Sequence, residues 1–287
     1  MPKNPLTGRQ GSRTIADHII AFNKALRFPY PLPDGVRVMN PFLEPAAWAA
    51  SSAFYKKYYD DHRPRRLILG INPGRFGAGL TGVPFTDPKR LRDACCIDYD
   101  GKQAHEPSSE FIYEMIKNYG GPEDFYREFY INSVCPLGFT AEGKNGGDVN
   151  LNYYDRAGLS ATVRPFALGS IRKQLAFTGL ADVCFCLGIG KNADYLHRLN
   201  KEYRLFGRIV PLEHPRYIMQ YRAKAKSDYI RQYLEAFAEA AFISAADRKP
   251  KKHLSISAGK LTVPDDFDPP LPQESLAALT CSFAEKI

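Results

Sequence analysis

No apolar run in the sequence approaches the ~20 residues that a membrane-spanning helix needs, so no such helix is expected. Residues Met1 to Thr14 are polar and lack the apolar centre of a secretory signal. The expected location is therefore the cytoplasm, in contact with the nucleoid if the source is bacterial. Cysteine is sparse and badly spaced for chemistry. The six cysteines stand at 95, 96, 135, 184, 186 and 281. Neither Cys95–Cys96 nor Cys184-Phe185-Cys186 has the spacing of a zinc ribbon or an iron–sulfur site. Free thiols are expected, with Cys184 and Cys186 alternating along an apolar strand as small buried hydrophobes. No metal and no cofactor is expected. Internal repeats are absent. No Walker lysine pattern follows Gly70, and no G-x-G-x-x-G opens a helix, which leaves a nucleotide-binding α/β protein a distant reading.

The 287 residues suffice for one large domain or two small ones, and 44% hydrophobic with 24% charged residues is ordinary for a globular protein. Net charge is +8 and the pI about 9.1. A basic excess favours polyanionic partners without requiring nucleic acid. Residues 246–287 contribute none of that charge, with six basic against six acidic residues. They hold five of the 22 prolines and no long periodic stretch. The expected division is a single domain over 1–245, with its core at about 40–240, followed by a polar extension over 246–287. A short helix near 273–284 is expected in that extension.

Apolar periodicity predicts helices over 14–27, 47–60, 109–119, 155–177, 190–201 and 219–241. Between them lie four short apolar runs, at 65–71, 128–134, 181–187 and 205–212, which read as buried parallel strands. Alternation of this kind implies an α/β fold with a parallel sheet covered on both faces. Ligands bind beyond the C-terminal ends of such strands, so the residues following each run carry the functional argument.

After the first run stands Gly70-Ile71-Asn72-Pro73-Gly74-Arg75-Phe76-Gly77, continuing to Thr81-Gly82-Val83-Pro84-Phe85. Glycine lets a backbone approach a ligand closely, and Asn72 brings an amide that both donates and accepts. A structural Gly/Pro loop explains the same residues as well. After the second run comes Asn132-Ser133-Val134-Cys135-Pro136-Leu137; an Asn at a buried strand end is costly unless paired. After the fourth comes Glu213-His214-Pro215-Arg216, where His214 is either structural or a poised donor.

Taken together, these segments resemble the SMUG-type (single-strand-selective monofunctional) branch of the uracil-DNA glycosylase superfamily. The family's first motif is Gly-Met-Asn-Pro-Gly, then Phe-Gly, then Thr-Gly-Val-Pro-Phe. It is matched without a gap from Gly70 to Phe85, with Ile71 in place of Met. Its second motif opens with His-Pro, as at His214-Pro215, and Met39-Asn40-Pro41-Phe42 and Cys135-Pro136-Leu137 are also similar. The resemblance implies a three-layer α/β/α fold with a short central four-stranded parallel sheet. It also implies a monofunctional, metal-free DNA N-glycosylase that excises uracil and related bases from DNA and so initiates base excision repair. Asn72 would place the hydrolytic water, His214 would stabilise the leaving base, and Phe85 would stack on the flipped base. Ile71 and Gly74 would line the base pocket, and Asn132 would read the base edge.

Two departures bear on this. Aligned on Cys135-Pro136-Leu137, the family's base-reading Asn falls on Ser133, whereas the classical uracil enzymes have it where Asn132 stands. A shift of one residue turns a strand side chain to the opposite face, so Asn132 is the first choice and Ser133 the reserve. After His214-Pro215 the family has Ser-Pro-Arg-Asn-Pro, but this chain has Arg216-Tyr217-Ile218-Met219. Here Tyr217, Ile218 and Met219 are expected to wedge into the base stack. Arg216, Arg222 and Lys224, with Lys226 and Arg231 nearby, are expected to follow phosphates, and Lys191 at a helix start to meet another. The expected partner is single- or double-stranded DNA, bound by a monomer. Gly74 replaces an aromatic residue of the classical enzymes, which makes room for bulkier bases. The alternatives are a glycosylase acting mainly on hypoxanthine, xanthine or mismatched thymine, and a non-catalytic binder of damaged DNA.

Overall fold

The computed structural model describes residues 12–247, so the expected extension beyond Asp247, its helix near 273–284 and Cys281 lie outside the described residues. The chain opens with α1 (Ile15–Ala25), β1 (Val36–Met39), α2 (Pro45–Tyr59) and β2 (Arg65–Gly70). Two short helices follow, α3 (Ala78–Thr81) and α4 (Pro88–Asp93), then α5 (Pro107–Tyr119), α6 (Pro122–Glu128) and β3 (Phe129–Ser133). A hairpin of β4 (Gly138–Glu142) and β5 (Asp148–Leu151) leads to α7 (Ala157–Thr178) and β6 (Gly179–Leu187). The last elements are α8 (Lys191–Tyr203), β7 (Arg208–Leu212), α9 (Pro215–Tyr221) and α10 (Lys226–Asp247). Proline stands first in α2, α4, α5, α6 and α9. At that position its fixed φ suits the helix and its missing N–H is not needed, so these five prolines start helices instead of breaking them.

The four apolar runs form one parallel sheet in the order β3-β2-β6-β7. Every residue of β2 is buried, as a strand covered on both faces should be. Adjacent residues of β3 show the two covering layers. Phe129 packs against Tyr119, Phe125 and Phe237, from α5, α6 and α10. Tyr130 points the other way, to Tyr55 and Tyr59 of α2 and Phe177 of α7. The α/β fold with a central four-stranded parallel sheet flanked by helices is therefore as the sequence implies. Arg65 of β2 is fully buried, with its guanidinium on Asp61 and on the carbonyls of Tyr58, Arg63 and Tyr126. Such satisfaction is what makes a buried charge tolerable.

Two features differ from the sequence reading. A second, antiparallel sheet, β1-β4-β5, has no apolar run to announce it, since β5 is exposed to half-buried along its length. Its hairpin turn carries Asn145-Gly146-Gly147 with Gly146 at φ +74°, a turn chemistry that does mark hairpins. The expected helix over 219–241 is instead two, because Pro215 starts α9 early and the chain breaks at Arg222 before α10 begins.

Candidate functional site

The C-terminal tips of β2 and β7, the β5 end of the hairpin and the first turn of α5 enclose a cavity of about 320 Å³. Its lining includes Ile71, Asn72, Gly74, Phe85, His214 and Arg216 from the sequence-derived set, together with Glu106, Asn150, Asn152, Tyr154 and Tyr221.

Asn72 is fixed at both ends of its amide. Nδ2 donates to the Leu151 carbonyl at 3.1 Å, and Oδ1 accepts from the Tyr153 N–H at 3.0 Å. The hairpin thus orients a side chain from the central strand. Nδ2 also donates, at 3.5 Å, to the Pro73 carbonyl. An amide oxygen accepts two hydrogen bonds, so the capacity Asn72 keeps toward the cavity is the second acceptor site of Oδ1.

Phe85 sits at φ +52°, a conformation uncommon for a residue with a side chain. The Thr81–Phe85 turn enforces it: the buried Thr81 hydroxyl donates to the Thr86 carbonyl and accepts from the Val83 N–H, and Gly82 takes φ +71°. The Phe85 ring lies on Gly70, where a β-carbon would stand only 2.9 Å from two ring carbons. Glycine at the tip of β2 is therefore what seats the ring. Its centroid is 5.9 Å from that of His214.

His214 caps α9, with Nδ1 accepting the N–H of Arg216 at 3.1 Å. Burial, with a smaller contribution from the Arg216 charge, pulls the imidazole down to about 4. The ring is therefore neutral at pH 7. With Nδ1 used as an acceptor, the proton resides on Nε2.

Asn132 is a correction. Its Nδ2 donates to the Tyr130 hydroxyl at 2.7 Å and its Oδ1 accepts the Ser133 N–H at 2.8 Å. It shares the face of β3 that carries Tyr130 into the α2 and α7 layer, and it does not line the cavity. Ser133, the reserve choice, projects from the opposite face, is buried and does not line the cavity either.

The wedge is corrected as well. Ile218 is fully buried in the main core and Met219 is half-buried against it, because α9 packs on α5. The exposed aromatic side chains of this helix are Tyr217 and Tyr221, whose rings stand 5.4 Å apart at the cavity mouth. Arg216, Arg222 and Lys224 are exposed. Lys226 is paired with Glu110 and Glu114, and Arg231 with Asp228 and Glu235. Lys191 stands at the first position of α8, 5.9 Å from the Tyr154 ring that lines the cavity.

Glu106 was not singled out in the sequence. Its Oε2 accepts from the Ser109 hydroxyl at 2.8 Å, and its backbone N–H donates to the fully buried Asp87 at 3.0 Å. Burial, above all, pushes its carboxyl up to about 7, helped by the Asp87 charge and opposed by Ser109 and Arg216. Among the described residues, no group of three or more His, Cys, Asp or Glu side chains is arranged to hold a metal ion, and the five described cysteines are free.

With this geometry in view, the comparisons with known proteins are informative. A family profile described as the uracil DNA glycosylase superfamily matches residues 56–238. The rat single-strand selective monofunctional uracil-DNA glycosylase is 31% identical over 138 residues, 42% of this chain and 48% of that protein. The mouse counterpart is 30% identical over 138 residues, 42% of this chain and 47% of that protein. This chain thus spans about half the length of these curated relatives. The crystal structure of wild-type Pedobacter heparinus SMUG2 superposes with a TM-score of 0.78 at 54% identity, covering 79% of this chain and 98% of that one. The chain belongs to the uracil DNA glycosylase superfamily and to its SMUG-type branch.

Proposed function

We propose that the protein is a monofunctional DNA glycosylase that hydrolyses the N-glycosidic bond of uracil, and of related deaminated or oxidised bases, in DNA. The observation that carries this reading is the convergence of Asn72, Phe85 and His214 on one cavity from separate segments of the chain. The target base must leave the stack to enter such a cavity. Phe85 would then offer its ring to the base face, and His214 its Nε2–H to the base carbonyl. Water held by Asn72 would form the new bond to C1′ as the C1′–N bond breaks, its proton passing through solvent to the base anion that leaves. The base would depart with the electron pair, and His214 would stabilise the developing charge. Asn72 orients the water without taking its proton, which suits a reaction in which bond breaking runs ahead of attack. Among the described residues no lysine lines the cavity, in keeping with hydrolysis and against a Schiff-base lyase.

The partner in this reading is DNA, single- or double-stranded, bound by a monomer working where the DNA is kept, as the first step of base excision repair. Arg216, Arg222, Lys224 and Lys191 would meet phosphates around the cavity. Among the described residues no helix is long and apolar enough to cross a membrane. The test is single-turnover excision from oligonucleotides carrying one uracil, with and without excess chelator, scored for free base and an intact abasic site. Excision in both conditions is expected. No release of uracil from either single strands or duplex defeats the reading.

A further inference from the structure

Turning Asn132 away from the cavity leaves open which group tells a deaminated base from a normal one. Deamination replaces an exocyclic amino group with a carbonyl, so the pocket needs a donor where the new oxygen lies. Among the described residues Glu106 is the only acidic one lining the cavity. Its carboxyl is held over the loop that follows β2. A β-carbon on Gly77 would collide with it, and one on Gly74 would stand 3.6 Å from Oε1. Glycine at position 77 is what admits the group. Oε2 is occupied by Ser109, while among the described residues Oε1 has no hydrogen-bond partner. Asn150 Nδ2 flanks the same space, also 3.6 Å from that β-carbon position, with its Oδ1 fixed by the Arg75 N–H at 3.2 Å. The room above Gly74 is therefore bounded by two pre-positioned polar groups and is not a bare void.

We propose that Glu106 is a specificity-determining residue: its Oε1, carrying the carboxyl proton, donates a hydrogen bond to the exocyclic carbonyl that deamination leaves on the base. The inference rests on the glycosylase reading above. A neutral carboxyl with Oε2 accepting from Ser109 has one donor left, and that donor faces the cavity. Cytosine and adenine would set an amino group against it, losing the bond and burying two donors face to face. An ionised carboxyl would reverse the preference and would oppose the departing base anion. The charged surroundings allow the neutral form. Asp87 lies beneath Glu106, and Arg90 of α4 is occupied by Asp87 and also approaches Glu110. His105 is placed toward Asp87 and Glu110, and Lys226 is taken by Glu110 and Glu114. Arg216 of α9 is the cation that favours ionisation, and burial outweighs it, with the carboxyl pushed up to about 7.

The test is single-turnover uracil excision from single-stranded DNA between about pH 5.5 and about pH 8.5, with wild type, Glu106→Gln and Glu106→Leu. Wild type should hold a plateau at the acid end and fall by about tenfold per unit above about pH 7, as the donor is lost. Glu106→Gln keeps a donor that cannot ionise, so it should stay within a few-fold of the wild-type plateau and remain flat to the alkaline end. Glu106→Leu should lose about tenfold or more at pH 6, with DNA binding and Tm at that pH unchanged. Inhibition by free uracil should weaken to a similar degree. The proposal is overturned if Glu106→Gln declines with pH as wild type does, if it is inactive throughout, or if Glu106→Leu matches wild type at pH 6. Should the Leu variant not fold, the Gln profile decides alone. Wild-type protein that releases no uracil at any pH defeats the glycosylase reading itself, a result distinct from each of these.

Discussion

The ring of His214 and the backbone of Arg216 are joined by a 3.1 Å hydrogen bond in which Nδ1 is the acceptor. The bond fixes the tautomer, and burial fixes the charge, so the side chain offers the cavity a neutral N–H. A neutral donor can stabilise a departing anion without first having to lose its own desolvation penalty. The sign of the pH effect follows from a folded-state value depressed from 6.5 to about 4. The neutral form is complete above 6.5 and persists until the pH falls through about 4. Uracil excision should therefore show its acid limb near pH 4, and a limb at the ordinary histidine value would show that the imidazolium is the inactive form of an unburied ring. Loss of stability on acidification through the same window should accompany it.

Asn72 and His214 should separate binding from chemistry. Asn72→Ala and His214→Ala should each lower single-turnover excision by at least about tenfold while DNA affinity stays near wild type. Removing Asn72 also frees the Leu151 carbonyl and the Tyr153 N–H, so the Tm of that variant should be measured alongside. Either variant cleaving at the wild-type rate would remove that residue from the mechanism.

How much of this was legible beforehand depends on the type of element. Buried parallel strands write themselves as apolar runs, so β2, β3, β6 and β7 were readable, as were the polar residues at their tips. Strand alternation shows that Asn132 and Ser133 face opposite ways, but not which covering layer each one meets, and neither lines the cavity. That was decided by Tyr130, whose ring seeks Tyr55, Tyr59 and Phe177 and takes Asn132 with it. Glu106 and Asn150 sit on a helix-initiating loop and a short exposed strand, where no periodicity signals a role. Nothing in the local sequence says that the hairpin folds back to clamp Asn72.

Two glycines of the first motif differ in what a side chain would meet. At Gly70 a β-carbon would press on the Phe85 ring at 2.9 Å, whereas at Gly74 the nearest atoms are 3.6 Å away. Gly70→Ala should therefore displace the stacking ring and lower excision of every base. Gly74→Ala should fit with little effect. Gly74→Tyr should fill the room beside Glu106 and Asn150, sparing uracil more than 5-hydroxymethyluracil or xanthine. Equal losses on all three bases in a competition assay would show that this room does not set the substrate range.

The last expectation concerns α9, whose large side chains divide between core and surface. Ile218 is fully buried, while Tyr217 is 37% and Tyr221 62% exposed at the cavity mouth. Ile218→Ala should cost about 2–5 kcal/mol of stability through the cavity it leaves, visible as a lower Tm. Tyr217→Ala/Tyr221→Ala removes no core contact and should leave Tm nearly unchanged. Aromatic rings placed like these can stack on bases beside the flipped one, and a base is costliest to flip from a paired duplex. The double variant should therefore lose more activity on duplex than on single-stranded DNA. Arg216→Ala and Lys224→Ala act on phosphates in this scheme, and should weaken binding to every sequence and flatten its salt dependence. Measuring excision on matched single- and double-stranded substrates, together with Tm, separates these roles. A tyrosine double variant that melts well below wild type, or that loses both activities in equal proportion, would return those rings to a structural role.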